Sequence, residues 1–321
     1  MQEVTVIIPN FNGMAYIEKC LESLQHQSEP DFAVIVVDNG SADGSDRLVE
    51  KKFPKVCLLR LGDNFGFCRA VNEGIYASKT PYVILLNNDT EVERDFVREL
   101  LAAIKKNPRR FSCGAKMVQY RDRSKMDDAG NLYCALGWAF ARGQGKSLEA
   151  YEQEKQVFAC CAGAAIYSRA VMEKIGYFDE AHFAYLEDTD IGYRARIYGY
   201  QNVYAPKAVV YHYGSGTSGS RYNLFKVRYS SRNNVYLIYK NMPVLQLLWN
   251  LPLIVLGFVI KAVFFTRKGF GKEYLAGIKN GIDLSVKGRK NGKKVKFEKK
   301  NLSHYFHIQW ELYFNMVRRL L

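Results

Sequence analysis

The sequence has no CxxC pair among its seven cysteines, no carboxylate for more than eighty residues after Asp190, and no basic start with an apolar run at its N-terminus. Each absence excludes something. The odd cysteine count without paired spacing fits neither a zinc ribbon nor a disulfide framework. Cys20, Cys57 and Cys113 sit inside apolar periodic segments, as reduced core thiols of a cytosolic protein do. The opening MQEVTVIIP carries no secretory pattern, so the main domain is expected in the cytoplasm. The acid-free span between Asp190 and Glu273 holds twelve Lys/Arg and suits anionic partners such as diphosphate or lipid headgroups. The basic excess is also local: Thr266 to Lys300 has twelve Lys/Arg against three Asp/Glu, +9 of the net +14. The remainder is only mildly basic.

What is present is a large apolar inventory, 48% of 321 residues, enough for one main core with an appendage. Short β-branched runs alternate with helix-period segments through the first half. TVIIPNF precedes MAYIEKCLESLQ, in which Ile17, Cys20, Leu21 and Leu24 fall on one face; AVIVVDN, VCLLRLG and YVILLNND each precede a further helix. That rhythm predicts βαβ units and a mainly parallel sheet. Such sheets bind ligands at the carboxyl ends of their strands. Polar residues gather at those ends: Asn10 and Asn12, Asp38 and Asn39, Asp63 and Asn64, then Asn87, Asn88 and Asp89. Asn and Asp also make turns and caps. Four successive strands ending this way point to one shared ligand site.

Beyond residue 110 the rhythm loosens, although CCAGAAIYSR and VYAPKAVVYHY still read as strands. The segment 244–265, VLQLLWNLPLIVLGFVIKAVFF, is long enough to cross a bilayer, but Gln246, Asn250, Pro252, Gly257 and Lys261 interrupt it. Basic residues flank both ends, so no crossing direction is preferred. With the polybasic run and the aromatic HYFHIQWELYFNMVRRLL behind it, the segment reads as an interfacial or re-entrant element, the alternative being a buried core hairpin.

The ordered series VIIPNFNG, VVDNGSADGS, NFGFCRAVNEG, LLNNDTEV, GAAIYSR, LEDTDIGYRAR and HYGSGTSG resembles the inverting family 2 glycosyltransferases, especially their rhamnosyltransferase-like branch, from about Val4 to Asn234. The resemblance implies an α/β fold: a GT-A (nucleotide-diphospho-sugar transferase) Rossmann-like mixed sheet flanked by helices, spanning 1–240. A C-terminal apolar and basic helical membrane-associating extension would cover 241–321.

The same resemblance assigns roles. The diphosphate of a nucleotide-sugar donor leaves as an anion, so a divalent cation (Mg or Mn) or basic side chains must neutralise it. Asp89 stands last in what the family writes as Asp-x-Asp, with Asn87 in first place and Asn88 between; one charge fewer leaves metal dependence open. His212 falls where the family supplies a second metal or diphosphate ligand. Asp38 is placed at the pyrimidine base, Pro9, Asn10 and Asn12 around base and ribose, and Asn64 and Gly66 against the same nucleotide. A capping turn ahead of DRLVEKKF is a second reading of Asp38. In LEDTD, acidic residues at a helix start compensate the dipole, yet the series implies more. Asp188 would be the general base toward the acceptor hydroxyl, Glu187 would orient the loop or acceptor, and Asp190 would cap the helix. Arg232, beside Asn233, would hold the diphosphate or be an ordinary solvated arginine.

These readings imply a nucleotide-sugar donor, L-rhamnose from a dTDP donor among the options, a lipid-linked or polymeric glycan acceptor, and a place on the cytoplasmic side of the cell membrane at an anionic surface. No nucleic acid is expected, and the oligomeric state is not legible. GSGTSG, 214–219, spells a dinucleotide-binding motif but lacks the acidic residue about twenty positions on; in the family it would be a mobile loop over the donor. Two rivals are a sugar-phosphate nucleotidyltransferase, whose glycine-rich basic opening is replaced here by PNFNG, and a nonenzymatic protein binding membrane or nucleic acid through Lys287 to Lys300.

Overall fold

The computed structural model describes residues 2–214 and 222–320. Residues 215–219 of the glycine-serine stretch, expected as a loop over the donor, lie outside the described residues. The first half follows the sequence rhythm: β1 (Val4–Asn10), α1 (Ile17–Gln25), β2 (Phe32–Asp38), α2 (Ser45–Lys52), β3 (Cys57–Arg60), α3 (Phe67–Ala77) and β4 (Tyr82–Leu86). β1 pairs in parallel with β2 and β4, and β2 with β3. Side chains alternate across the sheet, so Val6 and Ile8 join one core cluster with α1 while Ile7 joins another with α3. Both faces are covered, and the strands are near-continuous apolar runs for that reason. In register, Asn10 lies opposite Asp38, and Asp38 opposite Arg60. The polar strand ends therefore share one edge.

The second half is mixed: β5 (Thr90–Val92), α4 (Phe96–Lys105), β6 (Arg110–Gln119), β7 (Met126–Asp128), β8 (Asn131–Cys134), β9 (Trp138–Ala141), β10 (Lys155–Val157), β11 (Ala164–Ser168), α5 (Arg169–Ile175), α6 (Glu187–Ile197) and β12 (Gln201–His212). The main sheet runs β10-β12-β6-β11-β4-β1-β2-β3, with β11 antiparallel to both β4 and β6, and β12 parallel to β6. Two short pairings bring chemistry to the edge. β5 pairs with the end of β12 and sets His212 opposite Thr90, one residue past Asp89. β7 pairs with the end of β6 and carries Asp127 and Asp128.

The expected extension begins where α7 (Leu224–Asn241) ends, and continues as α8 (Val244–Arg267), α9 (Gly271–Lys290) and α10 (Leu302–Leu320). Its Ile254, Tyr305, Ile308 and Leu312 share one core cluster with Tyr133, Phe158, Tyr193 and Ile197. Among the described residues, α8 is the one helix long and apolar enough to cross a membrane. Its residues face the unusual way round. Gln246, Asn250, Ile254 and Gly257 are buried, whereas Leu245, Leu248, Trp249, Leu256 and Val259 are exposed. Asn250 and Gln309 of α10 exchange amide hydrogen bonds at 2.8 Å, and Gln246 donates to the same Gln309 at 3.1 Å. The Gly257 carbonyl accepts from Trp138 Nε1 at 3.1 Å, and a Cβ there would stand 2.0 Å from the Leu136 carbonyl oxygen. The apparent interruptions Gln246, Asn250, Gly257 and Lys261 thus form one inward stripe at helical spacing. Pro252 alone is exposed on the outer side.

Candidate active site

The strand ends open into a cleft of about 1090 Å³, lined by Pro9, Asn10, Asn64, Gly66, Asn87, Asn88 and Asp89, by residues 183–189 leading into α6, and by His212. Eleven of the residues singled out in the sequence, Asn39 among them, meet there. Buried amides set its base. Asn10 donates from Nδ2 to Asp38 (3.1 Å) and Ser45 (2.9 Å), and its Oδ1 accepts from Asn88 at 2.8 Å. Asn39 donates to Asn64 Oδ1 at 3.0 Å, which also accepts from the Gly66 N–H. Gly66 has φ +85°, and a Cβ would meet the Phe183 ring at 2.5 Å. Only glycine allows α3 to start so near that ring.

Three expected residues do not line the cleft. Asp38 is buried beneath it, taken up by Asn10 and the Ser41 N–H, and Asn12 accepts from the Ala42 N–H with φ 51°. Both shape the rim from behind. Arg232 is spent on the backbone, donating to the carbonyls of Ala181 (2.8 Å) and His182 (2.7 Å) and to Asn233 Oδ1 (2.9 Å). It is therefore neither a solvated arginine nor a group lining this cleft. Asp190 does not cap α6 either. It is wholly buried, paired with Arg194 (3.0 Å) and Lys240 (2.9 Å) and accepting from Asn241. Burial opposes its ionisation, but Lys240 and Arg194 win and hold it far below the usual carboxylate range.

His212 sits between two carboxylates, with Nε2 3.3 Å from Asp89 and Nδ1 2.6 Å from Asp127. Burial alone would lower its pKa; the hydrogen bonds from Asp127 and Asp89 and their charges push it up to about 10. Among the described residues no three His, Cys, Asp or Glu side chains form a metal site by themselves. The reason is geometric, because the two carboxylates lie on diverging ring nitrogens. A divalent cation would take the place of the proton between His212 Nε2 and Asp89, which stand near the roughly 3 Å that separates cis ligands of an octahedral ion at about 2.1 Å. Asp127 then orients the ring from its other nitrogen.

The carboxylates of α6 are neighbours with different surroundings. Asp188 Oδ2 accepts from Asn131 Nδ2 at 2.7 Å, and Oδ1 accepts from the Thr189 N–H at 2.6 Å. Burial raises its pKa and these hydrogen bonds restrain the rise. Glu187 is 8% exposed, and its Oε2 has no partner. Burial and the Asp188 charge push it up to about 8. Hydrogen bonds therefore favour the carboxylate form of Asp188, while burial and the neighbouring charge favour the protonated form of Glu187. The loop before them is strained, with positive φ at Phe183 (62°), Tyr185 (73°) and Leu186 (66°). Asn233 holds it, donating from Nδ2 to the carbonyls of His182, Ala184 and Tyr185 at 2.9, 2.8 and 2.7 Å.

Asp127 and Asn131 are the residues the sequence reading missed. Their signal was the acidic pair in MDDAGN, inside the stretch without βα rhythm.

Relatives are found on both sequence and structure. N-acetylglucosaminyl-diphospho-decaprenol L-rhamnosyltransferase of Mycobacterium tuberculosis is 28% identical over 239 residues, covering 67% of this chain and 77% of the relative. Poly-beta-1,6-N-acetyl-D-glucosamine synthase of Staphylococcus epidermidis is 23% identical over 215 residues, 65% of this chain and 49% of the relative. The mannosyltransferase PcManGT from Pyrobaculum calidifontis, in complex with GDP-Man and Mn2+, superposes with a TM-score of 0.53 at 16% identity, covering 91% and 88% of the two chains. GalNAc-T7 with UDP, GalNAc and Mn2+ gives a TM-score of 0.59 at 15% identity, over 74% of this chain and 48% of the other. These superpositions establish the fold. The family described as Glycosyl transferase family 2 matches residues 5–176, more than half of the chain, and the match ends before Glu187, Asp188 and His212. It covers the strands whose polar ends line the cleft, and on that footing the chain belongs to glycosyl transferase family 2 and is an enzyme of that class.

Proposed function

We propose that this glycosyltransferase moves a sugar with inversion from a nucleotide-sugar donor to a lipid-linked glycan acceptor in cell-surface polysaccharide assembly, with L-rhamnose from a dTDP donor as the first donor to test. The observation that carries the reading is a single cleft lined both by the Asp89–His212 pair and by Asp188. The relative with 28% identity is a rhamnosyltransferase acting on a diphospho-decaprenol substrate by its name, which favours that sugar and acceptor class.

A divalent cation held by Asp89 and His212 would neutralise the departing diphosphate. Asn64 and Asn87 present amides to the nucleotide over a floor fixed by Asn10 and Asn88, and Pro9 and Gly66 let the backbone come close. Asp188 takes the acceptor hydroxyl's proton as that oxygen attacks the anomeric carbon from the side away from the diphosphate. One base with in-line displacement inverts the centre. Burial and the Asp188 charge favour a protonated Glu187, which limits the second negative charge beside the incoming oxygen. Arg232 and Asn233 position the loop that carries both carboxylates. The protein works at the cytoplasmic face of the membrane, resting on the apolar side of α8 with its polybasic run toward anionic lipid.

A panel of nucleotide sugars, scored for acceptor-dependent release of nucleoside diphosphate, tests the reading. Asp188→Asn should lower transfer by about 10²–10⁴-fold while leaving donor affinity near wild type. Full transfer by a folded Asp188→Asn protein would remove the assigned base.

A further inference from the structure

The cleft continues beyond the carboxylates. A second lobe of about 1270 Å³ shares Asp127, Tyr185, Leu186 and His212 with it and reaches α8 and the end of α10. Two features of this lobe have no use in donor chemistry. The first is its charge. Arg142, Lys155, Lys261, Arg318 and Arg319 all line it, and among the described residues no carboxylate forms an ion pair with any of the five. Several pack on aromatic faces instead: Arg142 lies 4.8 Å from the Tyr151 ring centre, Lys261 5.6 Å from Trp138 and Arg319 5.5 Å from Phe140. These cations outnumber the one carboxylate that lines the lobe, Asp127, which is itself paired with His212; like charges gathered this way repel one another, and a bound anion relieves that repulsion. The second feature is an apolar wall of Trp138, Phe140, Ile260 and Phe264. Ile260 and Phe264 also belong to the exposed apolar side of α8, so the lobe is continuous with the surface assigned to the bilayer.

A free saccharide would need neither the cations nor the apolar exit. A phosphate joined to a hydrocarbon chain uses both. We infer that this lobe is the acceptor subsite, in which Arg142, Lys261 and Arg319 bind the diphosphate that links the acceptor sugar to an isoprenoid-type lipid, while the lipid chain leaves along Ile260 and Phe264. Arginine suits the diphosphate through its paired donors. Anchoring the acceptor here leaves its sugar in the shared region beside Tyr185 and Leu186, next to Asp188. The inference rests on the transferase reading for the identity of the lobe, but its test is a binding measurement that needs no turnover.

Full-length protein in neutral detergent is titrated with labelled farnesyl diphosphate and with farnesol, with and without saturating nucleoside diphosphate. The wild type should bind the diphosphate at least about tenfold more tightly than the alcohol, and nucleoside diphosphate should not displace it. Lys261→Gln and Arg319→Gln should each lose most of that preference, and Arg319→Lys should keep part of it, all with unchanged melting temperature. Equal binding of diphosphate and alcohol, displacement by nucleoside diphosphate, or variants that bind as wild type would each overturn the inference. Displacement by phosphatidylglycerol at equal concentration would also overturn it, making the cluster a general headgroup contact. The wild-type arms decide the matter even where a variant fails to fold. Binding as expected in a protein that turns over no nucleotide sugar would refute the proposed function and leave the lobe assignment standing.

Discussion

Asn131 gives the proposed base a tunable setting. Its amide hydrogen bond favours the ionised form of Asp188, so removing it in Asn131→Ala should raise the Asp188 pKa. The acidic limb of the pH–kcat profile should then move to higher pH, with lower rates on that limb and little change on the plateau; an unmoved limb would separate Asn131 from the base. His182 provides a stability handle away from the chemistry. It is wholly buried, its Nε2 has no partner, and burial lowers its pKa to about 4. Below pH 6.5 the unfolded chain takes up a proton that the folded chain refuses until about pH 4, so stability falls as pH drops through that window, by about 3 kcal/mol in all. His182→Phe should flatten the dependence of the urea midpoint between pH 6.5 and 4.5. At this scale the sequence was partly legible. Asp89 was legible at its strand end and Asp188 and His212 through the family resemblance, whereas Asp190 is paired by Lys240 and Arg232 is taken up by the carbonyls of Ala181 and His182, contacts that no local pattern shows.

The loop before α6 and the helix α7 work as a pair of elements. Three non-glycine residues with positive φ in four positions cost about 1 kcal/mol or more each, so the loop keeps its shape only while something holds it. Asn233 supplies the hold through three carbonyls. Asn233→Ala should lower stability by about 1–3 kcal/mol. It should also lower kcat by more than it raises the donor KM, because the displaced group is the base and not the nucleotide pocket. A donor KM that rises as steeply as kcat falls would show that the loop belongs to donor binding. Periodicity revealed β1 to β4, β11 and β12, since each is a β-branched run flanked by helix or turn signals. It did not reveal β6 to β10, because β6 and β10 pair with strands distant in sequence and β7 to β10 are only three or four residues long. Composition alone left the reason for the polar residues of α8 open: counting them in a window registers an interruption, while their phase shows a face.

At the scale of the whole molecule, that phase decides how the protein can meet a membrane. The inward stripe of α8 is engaged from Gln246 to Gly257 by α10, Tyr193 and Trp138, so the catalytic domain lies along the helix. On the proposed membrane association, a helix held this way would rest in the interface with its outer side in the lipid. Truncation is a poor test of this arrangement, because Ile254, Ile308 and Leu312 complete a core cluster of the catalytic domain and their loss would unfold it. Surface substitution is the sound one. Trp249 and Leu256 are 73% and 49% exposed and touch the outer side only. Replacing both with Glu removes roughly 3 kcal/mol of apolar transfer and adds two charges that anionic lipid repels. The Trp249→Glu/Leu256→Glu protein should keep the wild-type melting temperature and donor affinity while its partition onto phosphatidylglycerol vesicles falls on the order of 100-fold. It should also lose transfer to an acceptor embedded in those vesicles far more than transfer to the same acceptor in detergent. Unchanged sedimentation with vesicles would mean that the apolar side of α8 faces a protein partner, and the acceptor would then have to reach Asp188 by another route.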